Sequence, residues 1–227
     1  MDNGVLEKAR NFAQPLLQGR AFDSGEDVLA HADAMVDTLV QMGDSIDMQA
    51  ACYLVYACDH LAKPEDVIGK AFGASFATLA IETSRLIRIQ RQARLSAGGD
   101  VQADLGVENV RKMLLAFSRD LRVVMLRLAS RLQTLRHYSV LKKPLPSGLA
   151  QESLQVFAPL ANRLGIWQIK WEMEDLAFRC LAPDTYKQIA KLLDSKRVER
   201  EGFVSLVMDR LQQELSKAHI EGDVQGR

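Results

Sequence analysis

Apolar residues recur three and four positions apart along nearly all of this chain, and stretches that alternate apolar with polar are almost absent. That spacing lines one face of a 3.6-residue helix, whereas a strand needs a period of two, so the sequence predicts an all-α protein. Helices are expected over Val5–Leu17, Glu26–Met42, Ile46–Leu61, Pro64–Ala71, Ser75–Leu95, Gly106–Ser118, Asp120–His137, Gly148–Leu164, Ile166–Leu181, Pro183–Leu193 and Lys196–His219. Starts are marked by Ser24 ahead of Glu26-Asp27, by Pro64 before two acids and by Pro183-Asp184, because proline in a first turn lacks only an N–H that would have no helical partner. Ser96–Asp100 and Lys143–Gly148 read as loops, each too short to be a domain linker.

With 227 residues, 48% of them hydrophobic, the chain can bury a substantial core. Its 29 basic and 29 acidic residues cancel, so no global field draws it to nucleic acid or an anionic membrane. The longest uncharged stretches, Met48–Cys58 and Ala71–Ile81, are 11 residues each, about half of a bilayer span. The first residues lack a basic segment followed by an apolar core, so no secretion signal is expected. Cys52, Cys58 and Cys180 are odd in number and lack CxxC spacing, which argues against a disulfide framework and a thiolate zinc site and favours a reducing cytoplasm.

Two stretches carry candidate chemistry. The apolar run Ala51–His60 (ACYLVYACDH) stops at Asp59-His60, which reads either as metal or acid/base chemistry or as the polar end of a buried helix. On a wheel of about 100° per residue, Asp120–His137 places Leu121, Val124, Met125, Leu128, Leu132 and Leu135 on a core face. Val123, Leu126, Ser130, Gln133 and Thr134 gather opposite, with Arg127 and Arg131 on one flank and Arg122 and Arg136 on the other. Ser130 and Thr134 either bond back to the carbonyl one turn earlier or face a site. The arginines form no single stripe, which disfavours a nucleic-acid groove.

The strings ENVRKMLLAFSRDLRVVMLRLASRLQTLRHY (Glu108–Tyr138) and FAPLANRLGIWQIKWEMEDLAFRCLAPDTY (Phe157–Tyr186) resemble the amino-terminal hydrolase region of the RelA/SpoT stringent-response proteins. The likeness implies an all-helical HD-type phosphohydrolase fold. In active relatives that fold holds a manganese ion and cleaves the 3′-pyrophosphate of guanosine tetra- or pentaphosphate, the cation polarising a phosphate oxygen and generating hydroxide. Carried over by position, the first ligand histidine is His31. The His-Asp pair is replaced by Val55-Tyr56 and the following Glu-Asp by Asp59-His60. The later metal Asp is replaced by Ser130, and the Asn that would face the nucleotide by Thr134. Of the expected metal ligands only His31 remains, so the resemblance implies no metal, no cofactor and no catalytic residue in this region.

Such losses resemble the RelA-type, synthetase-only branch. There the degenerate region, here residues 1–181, is a regulatory pseudo-hydrolase, and residues 182–227 are a helical connector to a synthetase domain. That synthetase transfers pyrophosphate from Mg-ATP to GTP or GDP, and none of its motifs is present in this chain, which is expected to be a piece of a longer protein. Its expected partner is the synthetase in the same polypeptide, with the charged run Lys191–Glu201 as a polar hinge or contact. Ribosome contact would belong to downstream regions, a homodimer stays open, and neither membrane nor nucleic acid is expected. Trp167 and Trp171, one turn apart, are expected to anchor helices in the core. The alternatives are a sensor that binds alarmone or GTP without cleaving it and an active metal hydrolase, which would use a rearranged set of His31, Asp59 and His60.

Overall fold

The computed structural model describes residues 4–96, 120–141, 143–217 and 222. Its helices are α1 (Gly4–Leu17), α2 (Val28–Gln41), α3 (Ile46–Ala57), α4 (Pro64–Phe72), α5 (Ala74–Ser96), α6 (Leu121–Leu141), α7 (Ser147–Glu152), α8 (Ala158–Arg163), α9 (Trp167–Leu181) and α10 (Pro183–Lys217). A 3₁₀ turn, Cys58–His60, follows α3, and a π turn, Ser153–Phe157, joins α7 to α8. No strand occurs among the described residues, so the all-α expectation holds. The chain divides into two compact units, residues 1–181 and 182–227.

Local chemistry sets the ends that place the site. Asp27, rather than a residue before Glu26, caps α2 by accepting the Ala30 N–H at 2.8 Å, which leaves Glu26 outside the helix. Gly43, at φ +72°, then closes α2: its N–H bonds Val40 O and the Asp44 N–H reaches Leu39 O, a Schellman ending that only a left-handed residue allows readily. Ser45 caps α3 through the Met48 N–H.

In the first unit α3 is the innermost helix, packed by α1, α2 and α5, and every residue from Met48 to Ala57 is buried. The helix α6 lies against α2, α5 and α9, and from Val123 to Leu132 it too is buried nearly all round. Its second face is covered like its core face, with Val123 and Leu126 buried as Val124 and Leu128 are, and one expectation is corrected: Leu121, expected in the core, is 53% exposed.

Other expectations are corrected by backbone detail. The helix expected to reach Leu61 tightens to 3₁₀ at Cys58. The expected Gly148–Leu164 helix is interrupted by the π turn, where the Ala158 N–H bonds Ser153 O; Pro159 has no N–H to continue the ordinary ladder. Pro183–Leu193 and Lys196–His219 were expected as separate helices, yet α10 runs without a break to Lys217. The expected Gly106–Ser118 helix lies outside the described residues, as do residues 97–100 of the first loop and most side chains of the charged run. Trp167 and Trp171 are not core anchors: they are 51% and 62% exposed.

Candidate functional site

The residues at issue come together where α2, α3 and α6 meet. His31 projects from the first turns of α2 and Tyr56 from the last turn of α3, and both side chains are buried. Ser130, buried in the middle of α6, lies between them. Its Oγ is 3.2 Å from His31 Nε2, 3.0 Å from the Tyr56 hydroxyl and 3.2 Å from Arg127 Nη1.

One hydroxyl can donate once and accept twice. Arg127 can only donate to it. Glu26 Oε2 lies 2.9 Å from His31 Nδ1, off the line of a good hydrogen bond, and a carboxylate there favours the proton on Nδ1. Nε2 then accepts from Ser130, and Tyr56 donates to Ser130 in preference to the softer Met35 thioether at 3.3 Å. With that tautomer all three contacts of Ser130 are satisfied.

Around this centre the packing is dense. Phe22, His31 and Tyr56 meet edge to face in a mutual trio, with ring centroids 4.9 to 5.5 Å apart. Arg127 is fixed on its other side by Gln90 Oε1, at 2.7 and 3.1 Å. Glu26 accepts from Gln133 at 2.7 Å, and His137 Nδ1 stands 4.0 Å from the same carboxylate. Burial holds the Tyr56 phenol well above its ordinary pKa, although the Ser130 bond and the Arg127 charge work the other way, so the group stays a neutral donor.

The remaining candidates lie elsewhere or behave otherwise. Thr134 Oγ1 donates back to Ser130 O at 3.0 Å, the local bond typical of threonine inside a helix, and Ser130 does not do the same. Val55 is core. Asp59 accepts from Ser84 at 3.0 Å and faces Arg88 at 3.7 Å on a 43%-exposed side chain. Burial and the Arg20 charge push His60 below its ordinary pKa, with Asp59 opposing. Asp59 and His60 therefore form the polar end of the α3 segment, and they do not join His31 in a rearranged site. Burial, helped by Asp59, pushes the Cys58 thiol up to about 12, and burial raises that of Cys52 as well, which disfavours a thiolate at either position.

Manganese calls for several hard oxygen or imidazole ligands. The residues at Ser130 offer one imidazole and two hydroxyls with a guanidinium among them, and the neighbouring carboxylate, Glu26, is engaged by Gln133 and His31. Among the described residues no three His, Cys, Asp or Glu side chains converge as ligands. This donor set does not fit the ion.

Sequence reasoning passed over Glu26, Gln90 and His137, and it left Arg127 and Arg131 as flanking charges. Arg131 makes a 2.6 Å ion pair with Glu152, both nearly inaccessible, beneath the Phe157 ring at 4.5 Å. The available signal was that an arginine inside a helix apolar on every side must be buried and must find partners.

The HD-domain family matches this chain over residues 9–167. The chain belongs to that family. Over 224 residues it is 36% identical to a probable guanosine-3′,5′-bis(diphosphate) 3′-pyrophosphohydrolase of Synechocystis, covering 98% of this chain and 28% of that protein. It is 35% identical over 219 residues to the GTP pyrophosphokinase of Escherichia coli K12, covering 96% and 29%. With the GTP pyrophosphokinase of Myxococcus xanthus it shares 31% identity over 227 residues, covering 100% and 29%. The expected place of this HD domain among the RelA/SpoT proteins is borne out, and the chain spans under a third of the length of those relatives.

Proposed function

We propose that this HD domain is a non-hydrolysing regulatory module of a cytoplasmic stringent-response protein that makes guanosine tetra- or pentaphosphate from Mg-ATP and GTP or GDP. One observation carries the reading: Arg127, Tyr56 and His31 converge on Ser130, the position that resembles a metal-ligating aspartate in active relatives. A cationic guanidinium there repels a divalent ion, and the Tyr56 ring fills the space its water would need. The same ring trio argues against the sensor reading, because a guanine nucleotide finds no room among Phe22, His31 and Tyr56.

The domain then acts by biasing the synthetase between less and more active arrangements. A coupling of about 1–3 kcal/mol changes such an equilibrium about 5- to 150-fold. No helix among the described residues is long and apolar enough to cross a membrane.

The test is pyrophosphate release from guanosine tetraphosphate with Mn²⁺. It compares this chain with the quadruple variant Val55→His, Tyr56→Asp, Ser130→Asp, Thr134→Asn, and is paired with synthesis by the full-length protein with and without residues 1–181. Silence from this chain and an altered synthetic rate on deletion support the proposal. Metal-dependent turnover by the unaltered chain overturns it.

A further inference from the structure

Helix α9 already has a core face made of Ile169, Met173 and Ala177, all buried. Trp167 and Trp171, the chain's two tryptophans, sit roughly 140° around the helix from that face and are 51% and 62% exposed. Their rings tilt against each other with centroids 6.4 Å apart. Lys170 lies 5.8 Å over the Trp167 ring and pairs with Glu174 at 3.3 Å, so the apolar pair has a rim carrying both signs of charge. An apolar aromatic centre with a charged rim is the composition of an interface hot spot, and core packing gives no reason for it.

Area chooses among occupants. At about 250 Å² for a whole tryptophan side chain, the pair exposes about 280 Å². Two free copies need about 800 Å² on each side to stay together. A contact of a third that size can persist between parts of one polypeptide, where a tether holds the effective concentration near millimolar. The relatives supply such a tethered partner, since this chain covers only 28% to 29% of their length. We propose that the Trp167–Trp171 face of α9 is the anchor on which the remainder of the full-length polypeptide docks, through an apolar recess edged by charge of both signs. This rests on the regulatory reading above and names the surface through which it would act.

Hydroxyl-radical footprinting with mass-spectrometric readout, applied to this chain and to the full-length protein over a range of concentrations, tests the surface without any substitution. The expected result is oxidation of both tryptophans in this chain at a rate independent of concentration, and about fivefold slower oxidation in the full-length protein as the rings pass from half-exposed to interface core. Equal rates in the two proteins overturn the proposal. Protection in this chain that grows with concentration overturns it in favour of a second copy, and protection already complete in this chain overturns it in favour of the chain's own residues. Full-length Trp167→Glu/Trp171→Glu, assayed for synthesis, separates the two proposals. Footprint protection in the natural protein, with no rate change either in that variant or on deleting residues 1–181, keeps the docking surface and removes the regulatory reading. A rate change on deleting residues 1–181 without tryptophan protection does the reverse.

Discussion

Two polar groups in this protein each contain a histidine, and they are built in opposite ways. Asp59 and His60 are adjacent in sequence, yet Asp59 turns to Ser84 and Arg88 on a side chain 43% exposed. Glu26, His31, Gln90, Arg127 and Ser130 are scattered over more than a hundred residues, yet each is at most 6% exposed and they form one connected network. The pair adjacent in sequence is solvated, and the group scattered along the chain is the one removed from water. Adjacency along a chain fixes only where two Cα atoms are, whereas burial decides how strongly polar groups act on one another.

That contrast is broken or sharpened first by removing one carboxylate from each group. Glu26→Ala leaves the His31 imidazole and the Gln133 amide facing a buried void, and is expected to destabilise by about 3 kcal/mol. Asp59→Ala is expected to lower stability by less than about 1 kcal/mol, because its partners can turn to water. Urea unfolding of both variants checks this, and equal losses would remove the distinction.

Next in size is Tyr56→Phe, which deletes the hydroxyl shared with Ser130 and is expected to lower stability by about 1–1.5 kcal/mol at neutral pH. Its sign reverses at high pH. Burial raises the folded pKa of Tyr56, so above the unfolded value of about 10 the unfolded chain holds fewer protons than the native one, and stability falls as pH rises until the folded phenol ionises. Urea midpoints measured across that alkaline range should fall more steeply for the natural protein than for Tyr56→Phe, by the equivalent of one proton. Parallel curves would show that Tyr56 is not desolvated as described.

Much of the fold was legible because it is local. Helical spacing carries the all-α class and Pro64 the start of α4, each for reasons contained within a few residues, whereas the Asp27 and Ser45 caps and the Gly43 ending, equally local, were not among the expected signals. Much of the candidate site was not legible, because Glu26 meets Gln133 across 107 positions and Arg127 meets Gln90 across 37. The resemblance singled out His31, Tyr56 and Ser130, which the fold does bring together. It gave no account of the arginine and carboxylate that surround them, since a position-by-position comparison records substitutions and not the charges that enter a pocket. Periodicity failed in the other direction at Trp167 and Trp171: spacing of one turn is the same for a buried pair and an exposed one, and the neighbours Ile169 and Met173 had already filled the core face.

The smallest expected effect tests whether good geometry can stand in for burial. Asp33 is held as firmly as Glu26, by Arg10 at 2.9 and 3.0 Å and by the Tyr53 hydroxyl at 2.7 Å, but its side chain is 38% exposed and that of Arg10 43%. Burial alone would raise its pKa, and the hydrogen bonds from Arg10 and Tyr53 outweigh that to leave it below the ordinary carboxylate range. A depressed carboxyl stabilises the fold above the unfolded pKa of about 3.9, and that stabilisation is lost as pH falls through the folded value. Asp33→Asn is therefore expected to lower stability at neutral pH by less than about 1 kcal/mol and to converge with the natural protein in acid, where both side chains are uncharged. Urea midpoints from neutral pH down into that acid range check both limbs. A loss as large as that of Glu26→Ala would mean that hydrogen-bond geometry, and not removal from water, sets the strength of the polar groups in this domain.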